Sequence, residues 1–174
     1  LGLLVRIVLW ARFGTAADVP VLDLPLLLAG GVVNDAVETL YLFAPFALYL
    51  LLVPDRWHRT VANRALLGTG TVLTIGGLLY LAVAEVFFFE EFDARFNLVA
   101  FDYLAYPTEV FVDIWEAYPV VQVLVATVLL AVGTTWILRR RWFAGLDAST
   151  RLTGRLVPFA LHAMVLAMAI AWYP

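Results

Sequence analysis

The chain has 174 residues, of which 64% are hydrophobic and 14% charged, with a formal net charge of −3 and a mean hydropathy of +0.93. Soluble domains carry about 25% charged residues, so water is not the main solvent here, and an all-α polytopic transmembrane domain is the expected fold class. The absence of cysteine excludes a disulfide framework and thiolate chemistry, and the scarcity of basic residues, all eleven of them arginine, leaves no nucleic-acid partner to expect.

Residues 1–13 read as the outer half of a first span ending at Gly14. Only about ten apolar residues precede Ala11, half of the ~20 that a spanning helix needs, so the chain is expected to begin inside a helix. A signal peptide is not indicated, because a basic start and a small-residue cleavage site are lacking. Arg6 lies ~10 Å below the outer end of this span at helical rise, where a cation needs an anion. Glu85 or Glu38 is its expected partner, and a lipid phosphate is the alternative. Residues 16–23 contain Pro20 and read as a loop, with Asp23 placed to cap the next helix. Residues 24–53 are apolar apart from Asn34, Asp35 and Glu38; the helix is expected to start outside or at the interface, to cross over 36–53, and to bend at Pro45 before Pro54 ends it.

Residues 54–64 form a short polar link with three arginines, in which Asp55 or Asn63 is placed to cap a helix over 65–89. Gly70, Thr74, Gly77 and Ala84 give that helix a smooth face for close packing. Residues 120–138 form an uncharged span that Arg139, Arg140 and Arg141 are expected to stop, with Trp142 as an interfacial anchor. A polar link over 145–155 leads to the last span, 156–173, with Pro158 in its first turn and Ala160, Ala163, Ala167 and Ala171 as a second small-residue stripe. Eight of the eleven arginines lie in the two links 54–64 and 139–155. Retention of arginine on the cytoplasmic side then puts both links inside and the C-terminus outside.

Residues 84–119 break the apolar pattern with acids, aromatics and one arginine. Arg95, Asp102, Glu109 and Glu116 recur every seven residues, with Asp113 four past Glu109, so on helical backbone they line one face opposite Phe, Leu, Val and Trp. Residues 90–119 are therefore expected to lie flat on the outer surface as an interfacial element, with one or two short helices over 97–116 broken near Pro107, and Phe101, Leu104 and Val112 facing the bilayer or bundle. No metal-ligand set, nucleophile elbow or phosphate-binding glycine loop is present. His58 reads as a solvated link residue, and His162 as a helix-packing hydrogen-bond donor rather than a proton relay.

The same stretch resembles the membrane domain of lipoteichoic acid synthase-like proteins, the phosphoglycerol and phosphoethanolamine transferases of the sulfatase superfamily. The resemblance rests on Ala84 and Glu85, then Glu91 and Phe92, then Arg95, Phe96 and Asn97, then Asp102, Tyr103 and Leu104, then Glu109 and Val110, and the closing Tyr118 and Pro119. Asp113 departs from a common Asn and Ala117 from a common Ser. About thirty-six residues carry specific identity, within a five-span pattern whose C-terminus faces outward. The resemblance implies a large extracytoplasmic catalytic domain beyond Pro174, holding a threonine nucleophile and a divalent metal such as manganese, magnesium or zinc. Neither belongs to this chain, for which no catalytic residue and no cofactor of its own is expected.

On that basis the expected role is a membrane anchor and lipid-presenting module in a bacterial cytoplasmic (inner) membrane, whose partners are membrane phospholipid and its own C-terminal domain. The residues expected to meet a lipid headgroup are Arg95, through its planar fork of donors, with Asn97, Glu85, Glu91, Asp102, Tyr103, Glu109 and Arg6. The competing expectation for Arg95 is an ordinary ion pair with Glu91 or Asp102. A stand-alone transporter or scaffold is the alternative function, disfavoured because the polar residues gather at one edge and not at the midplane.

Overall fold

The computed structural model describes residues 1–14, 20–95, 107–147 and 152–172. Among the described residues every regular element is helical, as hydrocarbon requires of a backbone that must satisfy its own hydrogen bonds. Helix α1 is Gly2–Phe13, a 3-10 turn at Val21–Asp23 leads into α2 (Leu24–Leu52), and α3 is the single turn Asp55–His58. Beyond it lie α4 (Val61–Phe92), α5 (Pro107–Ala117), α6 (Val120–Asp147) and α7 (Leu152–Trp172). Val21–Leu52, Val61–Phe92, Val120–Gly145 and Thr153–Trp172 are long and apolar enough to cross a membrane. At 12 residues α1 is not.

Burial agrees with a lipid solvent. Buried hydrophobic residues are few, Val5, Leu9 and Ala131, whereas Leu26, Leu73, Leu129 and Met168 are all exposed. So continuous an apolar surface would not stay dispersed in water.

Several boundaries differ from those expected, each for a local reason. The second span is the end of one helix of 29 residues that begins at Leu24, with Pro25 in its first turn, and runs unbroken through Asn34, Asp35, Glu38 and Pro45. At 1.5 Å per residue it is ~43 Å long, enough for the hydrocarbon core and both headgroup layers. Asp23 occupies the N-cap position of α2 without a side-chain capping bond. Neither Asp55 nor Asn63 caps α4. Thr60 does, its hydroxyl accepting the Asn63 N–H at 3.2 Å, which starts the helix at Val61 instead of residue 65. Arg139–Arg141 end the apolar run but not α6, which continues to Asp147, since arginine is a good helix former. Pro158 lies inside α7 and not in its first turn, because that helix already begins at Leu152.

The described residues divide into two compact units, with the divisions falling inside α4 and α6. In the first unit α4 approaches α6 at Gly76, where an added Cβ would sit 3.6 Å from that of the fully buried Ala131. The glycines expected to make the close contact, Gly70 and Gly77, face open space instead. Phe13 meets Phe89 with ring centroids 4.9 Å apart, and Arg12 pairs with Glu90. In the second unit α2 packs on α7. The half-buried face of α7 is Arg155, Phe159, His162, Leu166 and Ala169, while the alanine stripe at 160, 163, 167 and 171 is exposed.

Candidate functional site

Within the first unit, the last turns of α4 carry Tyr80, Val83, Ala84, Phe87, Phe88, Glu91 and Phe92 at the three-and-four spacing of one helical stripe. On α5 the same spacing gives Val110, Asp113, Ile114 and Ala117. With Tyr118, Val120 and Val123 these two stripes enclose a cavity of about 350 Å³. Its walls are apolar and aromatic, Phe87 and Tyr118 meeting with centroids 4.9 Å apart and Phe88 and Phe92 at 4.6 Å. Its acids are Glu91 and Asp113, both exposed at the rim. The Tyr118 hydroxyl donates to a Glu91 carboxylate oxygen at 3.3 Å, tying the start of α6 to the end of α4.

The chain leaves α4 through Asp93, whose φ of 49° places it in the left-handed region that aspartate tolerates better than most residues. Its N–H still donates to the Phe89 carbonyl at 2.9 Å. That turn lets Arg95 fold back along the helix to pair with Glu85, a carboxylate whose side chain is only 13% exposed. An acid so placed in an apolar helix is costly without a cation, and Arg95 supplies it.

The sequence-derived residues distribute unevenly around this site. Glu91 lines the cavity, while Glu85 and Arg95 pair beside it. Arg95 therefore meets Glu85 and not Glu91. Arg95 lies in the bend 93–95 and Glu109 and Glu116 on α5, and the stretch of the heptad between them, with Asp102, lies outside the described residues. Glu109 is exposed on α5 outside the cavity lining. Asn97, Asp102 and Tyr103, with Phe101 and Leu104, lie outside the described residues. Arg6 is half-buried and engaged, and Glu38 is exposed.

Asp113 and Tyr118 were not among the expected headgroup contacts. The signal was legible for Asp113, which shares the three-and-four stripe of Val110, Ile114 and Ala117 as well as the acidic stripe of Glu109 and Glu116. It sits where the two meet.

A second groove of about 340 Å³ lies between α1 and α4, lined by Leu4, Val5, Val8 and Arg12 on one side and Leu79, Ala82 and Val86 on the other. Val83 and Phe87 line both hollows, so one face of each side chain is presented to each.

The second unit holds a polar cluster of another kind. Arg155, 13% exposed, donates to Asp55 and to the Val53 carbonyl, with the Leu50 carbonyl at 3.5 Å. Asn63, fully buried, accepts from the Tyr49 hydroxyl and donates to the His58 carbonyl at 3.2 Å. His58 is buried, contrary to the solvated role expected of it, because the link folds into α3 and brings the imidazole edge-on to Tyr49 at 5.6 Å. Burial, then the Arg155 charge, push its pKa below the ordinary 6.5, partly offset by the Val53 backbone and Asp55. His162 is half-buried and makes no hydrogen bond among the described residues, so it does not supply the packing bond expected of it. No group of three or more metal-ligating side chains converges among the described residues.

No family model, curated protein or solved structure matches the chain.

Proposed function

We propose that this chain is the membrane-embedded, lipid-presenting module of a lipid-headgroup transferase, moving phosphoglycerol or phosphoethanolamine. The observation that carries the proposal is convergence. Ala84, Glu91, Phe92, Val110 and Tyr118, singled out by the resemblance in four separate segments, all line one cavity, and Glu85 and Arg95 pair beside it. A hollow with aromatic walls and a polar rim suits an amphiphile better than a soluble metabolite.

In this proposal α1 is part of a fifth span and α5 lies at the extracytoplasmic surface of a bacterial inner membrane, with the arginine-rich links inside and the C-terminus outside. Phe111 and Trp115 stack at 5.6 Å on the face of α5 away from the cavity, 62% and 48% exposed, as an interfacial anchor would present them. Transfer chemistry, with its threonine and divalent metal, belongs to a domain following residue 174. This chain would hold the donor lipid beneath it.

The test is reconstitution of the intact protein in liposomes containing phosphatidylglycerol or phosphatidylethanolamine with a labelled headgroup, with glycerol added as the hydroxyl acceptor that takes the phosphoryl group as diacylglycerol leaves. Release of diacylglycerol from one of them is expected, and filling the cavity with Ala84→Phe should reduce it about tenfold or more without extracting the protein from the membrane. No release from either lipid by the folded protein counts against a transferase.

A further inference from the structure

We propose that the cavity between α4, α5 and α6 binds the ammonium group of an amphipathic amine, held by Glu91 and Asp113 at the rim with the apolar part against Phe87, Phe88 and Tyr118. The inference deepens the lipid-presenting role and rests on it only for the amine's source, which would be an aminophospholipid.

Charge gives the sign of the ligand. The lining contains two carboxylates and two tyrosine hydroxyls but no cation among the described residues. From residue 86 to residue 138 the sequence carries seven acids and a single base, Arg95, which is already paired with Glu85. A phosphate or carboxylate entering this rim would meet like charge, with two tyrosine hydroxyls but no cation among the described lining residues to offset it. An ammonium would meet the opposite charge at a rim backed by apolar walls.

The two acids are differently prepared. Glu91 is held by the Tyr118 hydroxyl, which occupies one of about four acceptor sites on the carboxylate and leaves the others open. Asp113 makes no hydrogen bond or ion pair among the described residues, although it lines the hollow, as Glu109 and Glu116 do not. An acid on a lining stripe with no partner among the described residues is explained if its partner is the ligand.

The walls fix the rest. Aromatic faces attract an ammonium through the ring quadrupole, and Phe87, Phe88, Phe92 and Tyr118 supply them. About 350 Å³ accommodates a headgroup and several methylenes but not two complete acyl chains, so any diacyl lipid must leave its tails in the bilayer.

The test uses the purified chain in maltoside detergent, with dodecylamine as probe against dodecanol and dodecyl phosphate of equal chain length. Dodecylamine should bind about tenfold or more tightly than either, and Glu91→Gln with Asp113→Asn should remove that preference. Glutamine retains an acceptor for Tyr118, so this double variant is expected to fold. Glu109→Gln with Glu116→Gln removes the same charge outside the cavity and should leave the preference intact. Equal binding of the three probes, or equal loss in both double variants, overturns the proposal. A second arm measures lipid retained in native mass spectrometry from equimolar phosphatidylethanolamine and phosphatidylglycerol. Enrichment of phosphatidylethanolamine, lost in the cavity variant, makes the phospholipid the source. A dodecylamine preference without that enrichment supports the amine site with a free amphiphile as its ligand, and counts against lipid presentation alone.

Discussion

Two clusters of polar side chains interrupt the apolar helices, and they are solved differently. Around Arg155 and Asn63, the main donors and acceptors face each other: guanidinium to carboxylate and carbonyls, hydroxyl to amide, amide to carbonyl. Around Glu91, the acids outnumber what the protein offers them. Arg12 pairs with Glu90 and Arg95 with Glu85, leaving Glu91 a single tyrosine hydroxyl and Asp113 no partner among the described residues. A closed cluster stabilises the fold, whereas an open one retains charge for something else. Mutation should therefore separate them, stability responding at the first and ligand binding at the second.

The largest expected effect is at Arg155. Removing one partner of a largely buried pair leaves the other uncompensated, so Arg155→Ala should destabilise by about 3 kcal/mol, read from thermal or denaturant unfolding in detergent. Arg155→Lys should recover only part of it, since an ammonium cannot present a planar fork to Asp55 and the Val53 carbonyl together. A full recovery would mean that the charge alone matters. Next is Tyr49→Phe, which deprives the buried Asn63 carbonyl of its donor and should cost about 1–3 kcal/mol. In the other region Arg95→Ala should cost less, about 1–2 kcal/mol, because Arg95 is 47% exposed while Glu85 is not. If Arg95→Ala proved costlier than Arg155→Ala, the contrast between closed and open clusters would be wrong.

These contrasts also separate the features legible in the residues from those that packing decides. Helical class and the approximate position of four long apolar helices follow from hydropathy, because a lipid-facing helix is apolar along most of its length and announces itself by composition. Packing faces do not. Gly70 and Gly77 were as plausible as Gly76, and only the rotation of α4 against α6 chooses among them. The Arg155–Asp55 pair joins residues a hundred positions apart, and nothing local in a basic link marks the one acid that will be used. Likewise the left-handed Asp93, which turns the chain so that Arg95 reaches back to Glu85, has no signature in the heptad. At the cavity, Glu91 was singled out by the resemblance, whereas its hydroxyl donor on Tyr118 depends on how the chain before α6 returns to α4.

A subtler test of the closed cluster is pH. His58 is buried with its pKa lowered from 6.5, so below that value the unfolded chain binds a proton that the folded chain resists. The stability that neutral His58 confers is complete above pH 6.5 and declines as pH falls toward its folded value. The unfolding midpoint, followed from about pH 7.5 to about pH 5, should fall, and it should fall less steeply in His58→Gln. An identical slope in the variant would place the titration on another group.

The smallest effect on stability is expected at the outer face of α5. Phe111 and Trp115 are exposed and stack on each other, away from the cavity that Val110, Asp113, Ile114 and Ala117 line. Changing both to serine removes rings that are already 62% and 48% exposed, so unfolding in detergent should shift by only about 1 kcal/mol. A bilayer changes the reference. If α5 rests at the interface, these two rings are its buried surface there, and their loss should lift the helix toward water. Quenching of a probe on residue 112 by lipids brominated at shallow and deep positions reads that displacement directly. Quenching unchanged by the double substitution would detach α5 from the membrane surface while leaving the cavity behind it intact.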